Sequence, residues 1–164
     1  MMTISNIIER IEKTASMILI AAMTIILFLN VIYRYFLHDP IFWANEASIY
    51  MMAWVTFLGG SLGLKYKSQA SITMLVDRFK KEHQKIINII AYIIILVFLA
   101  YLVYISSYWI THLSANKSSS LRIPMSIPYS CVPVGLTFAF IHMLAGFVEI
   151  FKKAKNKEVN THEF

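Results

Sequence analysis

Cysteine is almost missing from this chain: Cys131 is the only one in 164 residues. That excludes an internal disulfide, a Cys-x-x-Cys redox pair and a thiolate metal cluster, and with them the membrane thiol oxidoreductases. Charge is scarce too, at 15% of residues against 58% hydrophobic, and the mean hydropathy is +0.62. A soluble domain carries about a quarter charged residues, so a soluble globular fold is excluded. There is no Gly-rich phosphate loop, nucleophile elbow or His-Glu-x-x-His run. The chain is therefore expected to be no enzyme and to hold no metal or cofactor.

What the chain has in abundance is apolar runs long enough to cross a bilayer, which takes about 20 residues per helix. Four windows qualify, roughly 14–37, 43–64, 86–110 and 127–151. The expected fold is an all-α membrane protein, one integral domain over residues 1–164. The first window follows Arg10 and Lys13 as a secretory signal would, but its run is too long and no small-residue cleavage site follows, so it reads as a retained helix.

The net charge of +6 would favour an anionic partner if it were spread evenly. It is not. With four spans, Arg10, Lys13, Lys65, Lys67, Arg78, Lys80, Lys81, Lys85 and the Lys152–Lys157 cluster share one side, against Arg34, Lys117 and Arg122 on the other. The positive-inside rule then places both termini in the cytoplasm. The basic excess is topological, and nucleic acid is not an expected partner; membrane lipids are.

Two amphipathic stretches flank the spans. Ile4, Ile7, Ile8 and Ile11 recur at helical spacing near the amino end, which fits a helix in the inner interface or an extension of the first span. Ile72, Leu75, Val76 and Phe79 do the same between the second and third spans, where an interfacial helix with lysines near anionic headgroups is expected. Pro133 is expected to bend or loosen the fourth span.

The stretch Asn30–Gly63 joins two apolar runs at a short polar turn, His38–Asp39–Pro40. Arg34 lies six residues before Pro40 and Glu46 six after it, so a tight hairpin brings the charges to similar depth. A pair buried in lipid marks either ion coupling or a latch, between two helices or to a partner subunit. The latch is the better reading, because an ion-coupled site usually needs several oxygen ligands and broken helices at the midplane. Trp43, Glu46, Tyr50, Trp54, Phe57 and Ser61 form one stripe, and Gly59 with Gly63 makes a small-x-x-x-small pair that admits another backbone closely. Trp43, Tyr50, Trp54, Phe57, Gly59 and Gly63 are thus candidate partner-packing residues. His142 is the one histidine inside a span, read as a hydrogen-bonded packing residue rather than a relay or haem ligand.

From Leu29 to Phe79 the chain carries Asn30-Val31 before Arg34-Tyr35, Pro40 in the turn, Trp43 with Glu46 three residues on, and Trp54 before Phe57-Leu58-Gly59. This ordered set resembles the small membrane subunit of tripartite ATP-independent periplasmic (TRAP) transporters, the DctQ-like family, with a lean toward those of sialic acid type. The resemblance implies a bacterial inner-membrane location and two partners: a large DctM-like subunit that moves solute by a sodium-coupled elevator motion, and a periplasmic substrate-binding protein. It implies that the small subunit braces the static scaffold, for uptake of an organic acid such as a C4-dicarboxylate or sialic acid. His38, Asp39, Lys117 and Arg122, on the outer turns, are the expected docking residues for the binding protein. The competing reading is a self-sufficient homo-oligomeric transporter or channel lined by Arg34, Glu46 and His142. A redox-enzyme anchor is a third.

Overall fold

The computed structural model describes residues 2–76 and 81–159, with side chains left undescribed at 67–86, 88 and 149–159. It is helical almost throughout: α1 (Met2–Ile32) with a π-helical turn (Tyr33–Leu37), α2 (Phe42–Val76), α3 (Lys81–Leu113), the short α4 (Ser126–Tyr129) and α5 (Cys131–Val159). Four stretches have the length and apolarity to cross a membrane, Met2–Leu37, Phe42–Tyr66, Ile89–Leu113 and Ser126–Val148, which matches the four windows read from hydropathy.

The breaks fall where backbone chemistry requires them. The π-helical turn ends on His38, which takes the left-handed conformation at φ 56° and donates its backbone N–H to Tyr33 O. Histidine tolerates that region better than β-branched residues do, and Pro40 then prevents the helix from resuming before Phe42. The fourth span is interrupted at Ser130, three residues before Pro133, in keeping with the expected loosening. Pro133 itself is the third residue of α5, in the first turn, where the amide that proline lacks has the least to bond to.

Neither amphipathic stretch begins as a separate element. The amino-terminal one is the first third of α1, which settles the alternative in favour of an extension of the span. At a rise of about 1.5 Å per residue, the 36 residues of α1 and its π turn reach about 54 Å, well beyond the ~30 Å hydrocarbon layer. The connection after the second span is helical through Val76 as a direct continuation of α2. Side chains from Lys67 onward in that connection, including Ile72, Leu75 and Phe79, lie outside the described set.

The helices form a bundle: α2 packs on both α1 and α5, α5 in turn packs on α3, and α1 and α5 also touch directly. The tightest point is the α2–α5 crossing: a Cβ placed on Gly135 would lie 2.7 Å from Phe57 Cβ and 3.0 Å from Phe57 O. Lipid tails give helices no hydrophobic reason to associate, so close backbone approach through a small residue supplies the dispersion contacts that hold them. Farther along, Tyr92 and Leu99 of α3 bury against Ala139 and Met143 of α5. Large apolar side chains along α1 and α3, among them Ile18, Phe28, Ile94, Val97 and Phe98, are exposed, as lipid-facing surfaces should be.

Gly135→Val is expected to lower the melting temperature in detergent, by the equivalent of about 1–3 kcal/mol for overpacking a tight contact. Gly60→Ala should leave it level or slightly raised, because a Cβ there meets nothing within 4 Å and alanine favours helix.

Candidate functional site

Polar side chains gather at both ends of the bundle. At the hairpin end, Asn30 ties α1 to α2: its Nδ2 donates to Asn45 Oδ1 at 3.2 Å and its Oδ1 accepts the Ile41 backbone N–H at 3.1 Å. Glu46 is held differently from the sequence expectation. Tyr50 donates its hydroxyl to Oε1 at 2.7 Å, while the backbone N–H groups of Ser120 and Leu121 donate to Oε2 at 2.7 and 3.2 Å.

Arg34 and Glu46 therefore do not pair with each other within the chain. Among the described residues no ion pair joins them, and Arg34 sits exposed in the π turn. Equal sequence distance from Pro40 sets similar depth but not azimuth, and the π turn changes the rotation at which Arg34 leaves the helix. Glu46 instead anchors the loop between α3 and α4. That loop is further closed by the antiparallel bridge of Lys117 with Pro124, by Ser118 N–H to Ile123 O at 2.9 Å and by Met125 N–H to Asn116 O at 2.9 Å. Tyr129 stacks edge-on against both Tyr50 and Trp109, at 6.3 and 5.6 Å between ring centroids, fastening α4 to α2 and α3.

The predicted α2 stripe divides. Tyr50 meets Tyr129, Phe57 meets Gly135 and Ser61 is buried, so these three serve the chain's own packing. Trp54 is half-buried and Trp43 is 46% exposed. Gly59 and Gly63 look the other way, and a Cβ on either meets nothing within 4 Å. His38, Asp39, Lys117 and Arg122 are all exposed, Arg122 in the left-handed region at φ 56°.

At the opposite end lies a cluster that the sequence reading missed. His142 Nε2 is 2.9 Å from Glu12 Oε2, and Ser5 Oγ is 2.7 Å from His142 Nδ1. Both side chains of the Glu12–His142 pair are wholly shielded, and Ser5 is 1% exposed. One turn toward the surface, Lys65 Nζ donates to Ser5 O, Asn6 Oδ1 and Glu9 Oε2 at 3.1, 3.0 and 2.7 Å. Lys13 also bonds Glu9, at 2.6 Å, and the Tyr66 hydroxyl donates to the same carboxylate. The signal was present as a polar stripe: Ser5, Glu9, Glu12 and Ser16 step by four, three and four, one face of a helix. Ile4, Ile7 and Ile11, read as a face toward the inner membrane interface, are 56% exposed, and the polar stripe on the other side faces inward. His142 is thus a hydrogen-bonded packing residue, but one that also engages a carboxylate.

Ser5, His142 and Glu12 are shielded from the surface, and among the described residues no set of three or more His, Cys, Asp or Glu side chains could hold a metal. Four helices long and apolar enough to span, exposed apolar faces and polar contacts that join helices are the features of a multi-pass membrane protein. Residues 23–153 match the family described as tripartite ATP-independent periplasmic transporters, DctQ component, and the chain belongs to that family. It is 27% identical to the C4-dicarboxylate TRAP transporter small permease protein DctQ of Vibrio cholerae, over 82% of this chain and 70% of that one. It is 29% identical to a putative TRAP transporter small permease protein of Haemophilus influenzae, over 90% and 86%.

Glu46→Ala should loosen the Lys117–Pro124 loop, read as faster amide exchange at Ser120 and Leu121, whereas Arg34→Ala should leave both amides unchanged. A reversal of those two outcomes would reinstate the Arg34–Glu46 latch.

Proposed function

We propose that this chain is the non-transporting brace of a sodium-coupled TRAP transporter in the bacterial inner membrane. It binds a large DctM-like elevator subunit and carries out no chemistry itself. The observation that carries this reading is the division of labour on α2: one face is consumed by the chain's own α5, while the Gly59/Gly63 face is open to a further helix. Open small-residue faces in lipid are suited to another helix backbone. The buried charges are bonded to one another within the chain, which favours a brace over a self-assembled pore lined by Arg34, Glu46 and His142.

The transported solute is an organic acid, of the C4-dicarboxylate class that the Vibrio relative's name carries or of the sialic acid class, selected by the partners. The charge distribution orients both termini to the cytoplasm. The hairpin end then faces the periplasm with Arg34, His38, Lys117 and Arg122 exposed. On that end the Glu46-anchored loop presents Lys117 and Arg122 to a binding protein through charge complementarity that weakens as salt rises.

Gly59→Leu with Gly63→Leu should leave the chain folded but reduce co-purification of the large subunit in mild detergent and abolish uptake in reconstituted vesicles. Uptake by the chain reconstituted alone would overturn the proposal. Charge reversal at Lys117 and Arg122 should weaken binding-protein docking at low ionic strength and have little effect at high salt; unchanged docking would remove that role.

A further inference from the structure

Tyr101 carries a hydroxyl to the middle of the bilayer. It lies twelve residues from either end of the span Ile89–Leu113, about 18 Å at the helical rise. The neighbouring helix gives the same depth. Trp109 meets Tyr129 and Tyr92 meets Phe147, so in the antiparallel α3–α5 register Tyr101 is level with Thr137, the centre of Ser126–Val148. The hydrocarbon layer extends about 15 Å to each side of that level, farther than a tyrosine side chain reaches. Side chains on a helix also lean toward its N-terminus, which carries this hydroxyl away from the end of α3 where Tyr108 stacks on His112.

Burial fixes the direction of the side chain as the register fixes its depth. Tyr92, Leu99 and Ser106, spaced by seven, are buried and mark the face of α3 turned into the bundle. Ile90, Ile94, Val97, Tyr101, Tyr104 and Tyr108 advance by four and three along the opposite face. All six are exposed, Tyr101 by 59%. Among the described residues the Tyr101 hydroxyl has no hydrogen-bond partner. Ile94 and Val97 are at home against lipid tails, and Tyr108 suits the aromatic belt near the surface. The Tyr101 hydroxyl is not served in either way, because at its depth lipid offers no acceptor and water is out of reach.

We propose that the α3 stripe centred on Tyr101 packs against a membrane helix of the large subunit, and that this helix offers Tyr101 an oxygen acceptor at mid-bilayer depth. The acceptor is a Ser, Thr, Asn or Gln side chain or a carbonyl freed at a helix break. The identity of the partner rests on the brace reading; the need for an acceptor does not. A second copy of this chain fits the stripe less well. Two such stripes oppose only large side chains, whereas helices in lipid come close through small residues, which the partner helix therefore supplies. The contact is additional to the open Gly59/Gly63 face of α2.

The test is photocrosslinking in the membrane. The full chain carrying Tyr101→p-benzoylphenylalanine is co-expressed with the large subunit and irradiated before solubilisation, and adducts are identified by mass spectrometry. The expected product is the summed mass of the two subunits. A product of twice the small subunit's mass, or adducts to lipid alone, overturns the proposal. Tyr101→Phe should raise the dissociation constant of the purified two-subunit complex about threefold, the average worth of one such bond between membrane helices. It should leave the melting temperature of the isolated chain in detergent unchanged, since no bond within the chain is lost. A fall in that temperature would give the hydroxyl a partner inside the chain and overturn the proposal, as would an unchanged dissociation constant. If the unaltered chain does not co-purify with the large subunit, the brace reading fails and this contact with it; co-purification without an adduct from position 101 fails this contact alone.

Discussion

The α2–α5 crossing at Phe57 and Gly135 is the contact on which the rest of the bundle depends. Gly135 lets α5 approach α2 until only a hydrogen fits between them, and this fixes both the distance and the relative depth of the two helices. Because they run in the same direction from that point, His142 arrives near the level of Leu64 and Lys65. There it meets Glu12 and Ser5 on α1, and α3 completes the bundle through Tyr92 and Met143. A side chain at position 135 would move α5 outward and separate the imidazole from its carboxylate.

Each end of the bundle solves the same problem by a different route. In hydrocarbon a polar group left unbonded is costly, so those that remain must bond to one another. At the hairpin end Glu46 takes backbone N–H groups from a loop far along the chain, and Asn30 caps the Ile41 amide. At the other end an imidazole, a carboxylate and a hydroxyl form a chain of three, with the Lys65–Glu9 network between it and the surface. The polar contacts therefore join helices rather than line a passage, which accords with a subunit whose outward faces meet lipid and other helices.

The sequence reading and the structure part company over azimuth. The reading of Arg34 and Glu46 as a pair used their equal sequence distance from Pro40 alone. Which way each side chain points was decided by the π-helical turn at Tyr33–Leu37 and by the competing donors of Ser120 and Leu121, more than seventy residues away in sequence. The polar stripe of α1 went unread beside its isoleucine stripe for a related reason. In water an apolar stripe marks the buried face; in lipid it marks the exposed one, so the inward face of α1 is the one carrying Ser5, Glu9, Glu12 and Ser16.

The sequence by itself determined the number of spans, the turn at His38–Pro40, the exclusion of an internal disulfide and the family, because these follow from local hydropathy, backbone restrictions, the residue count and an ordered motif. Only the tertiary structure decided that His142 belongs with Glu12 and Ser5, that Glu46 holds a distant loop, and that Gly135 rather than Gly59 or Gly63 carries the close crossing within the chain. Those pairings rest on helix order and rotation. Lipid solvates every apolar face equally well, so neither quantity is encoded in the hydrophobic pattern of a membrane helix.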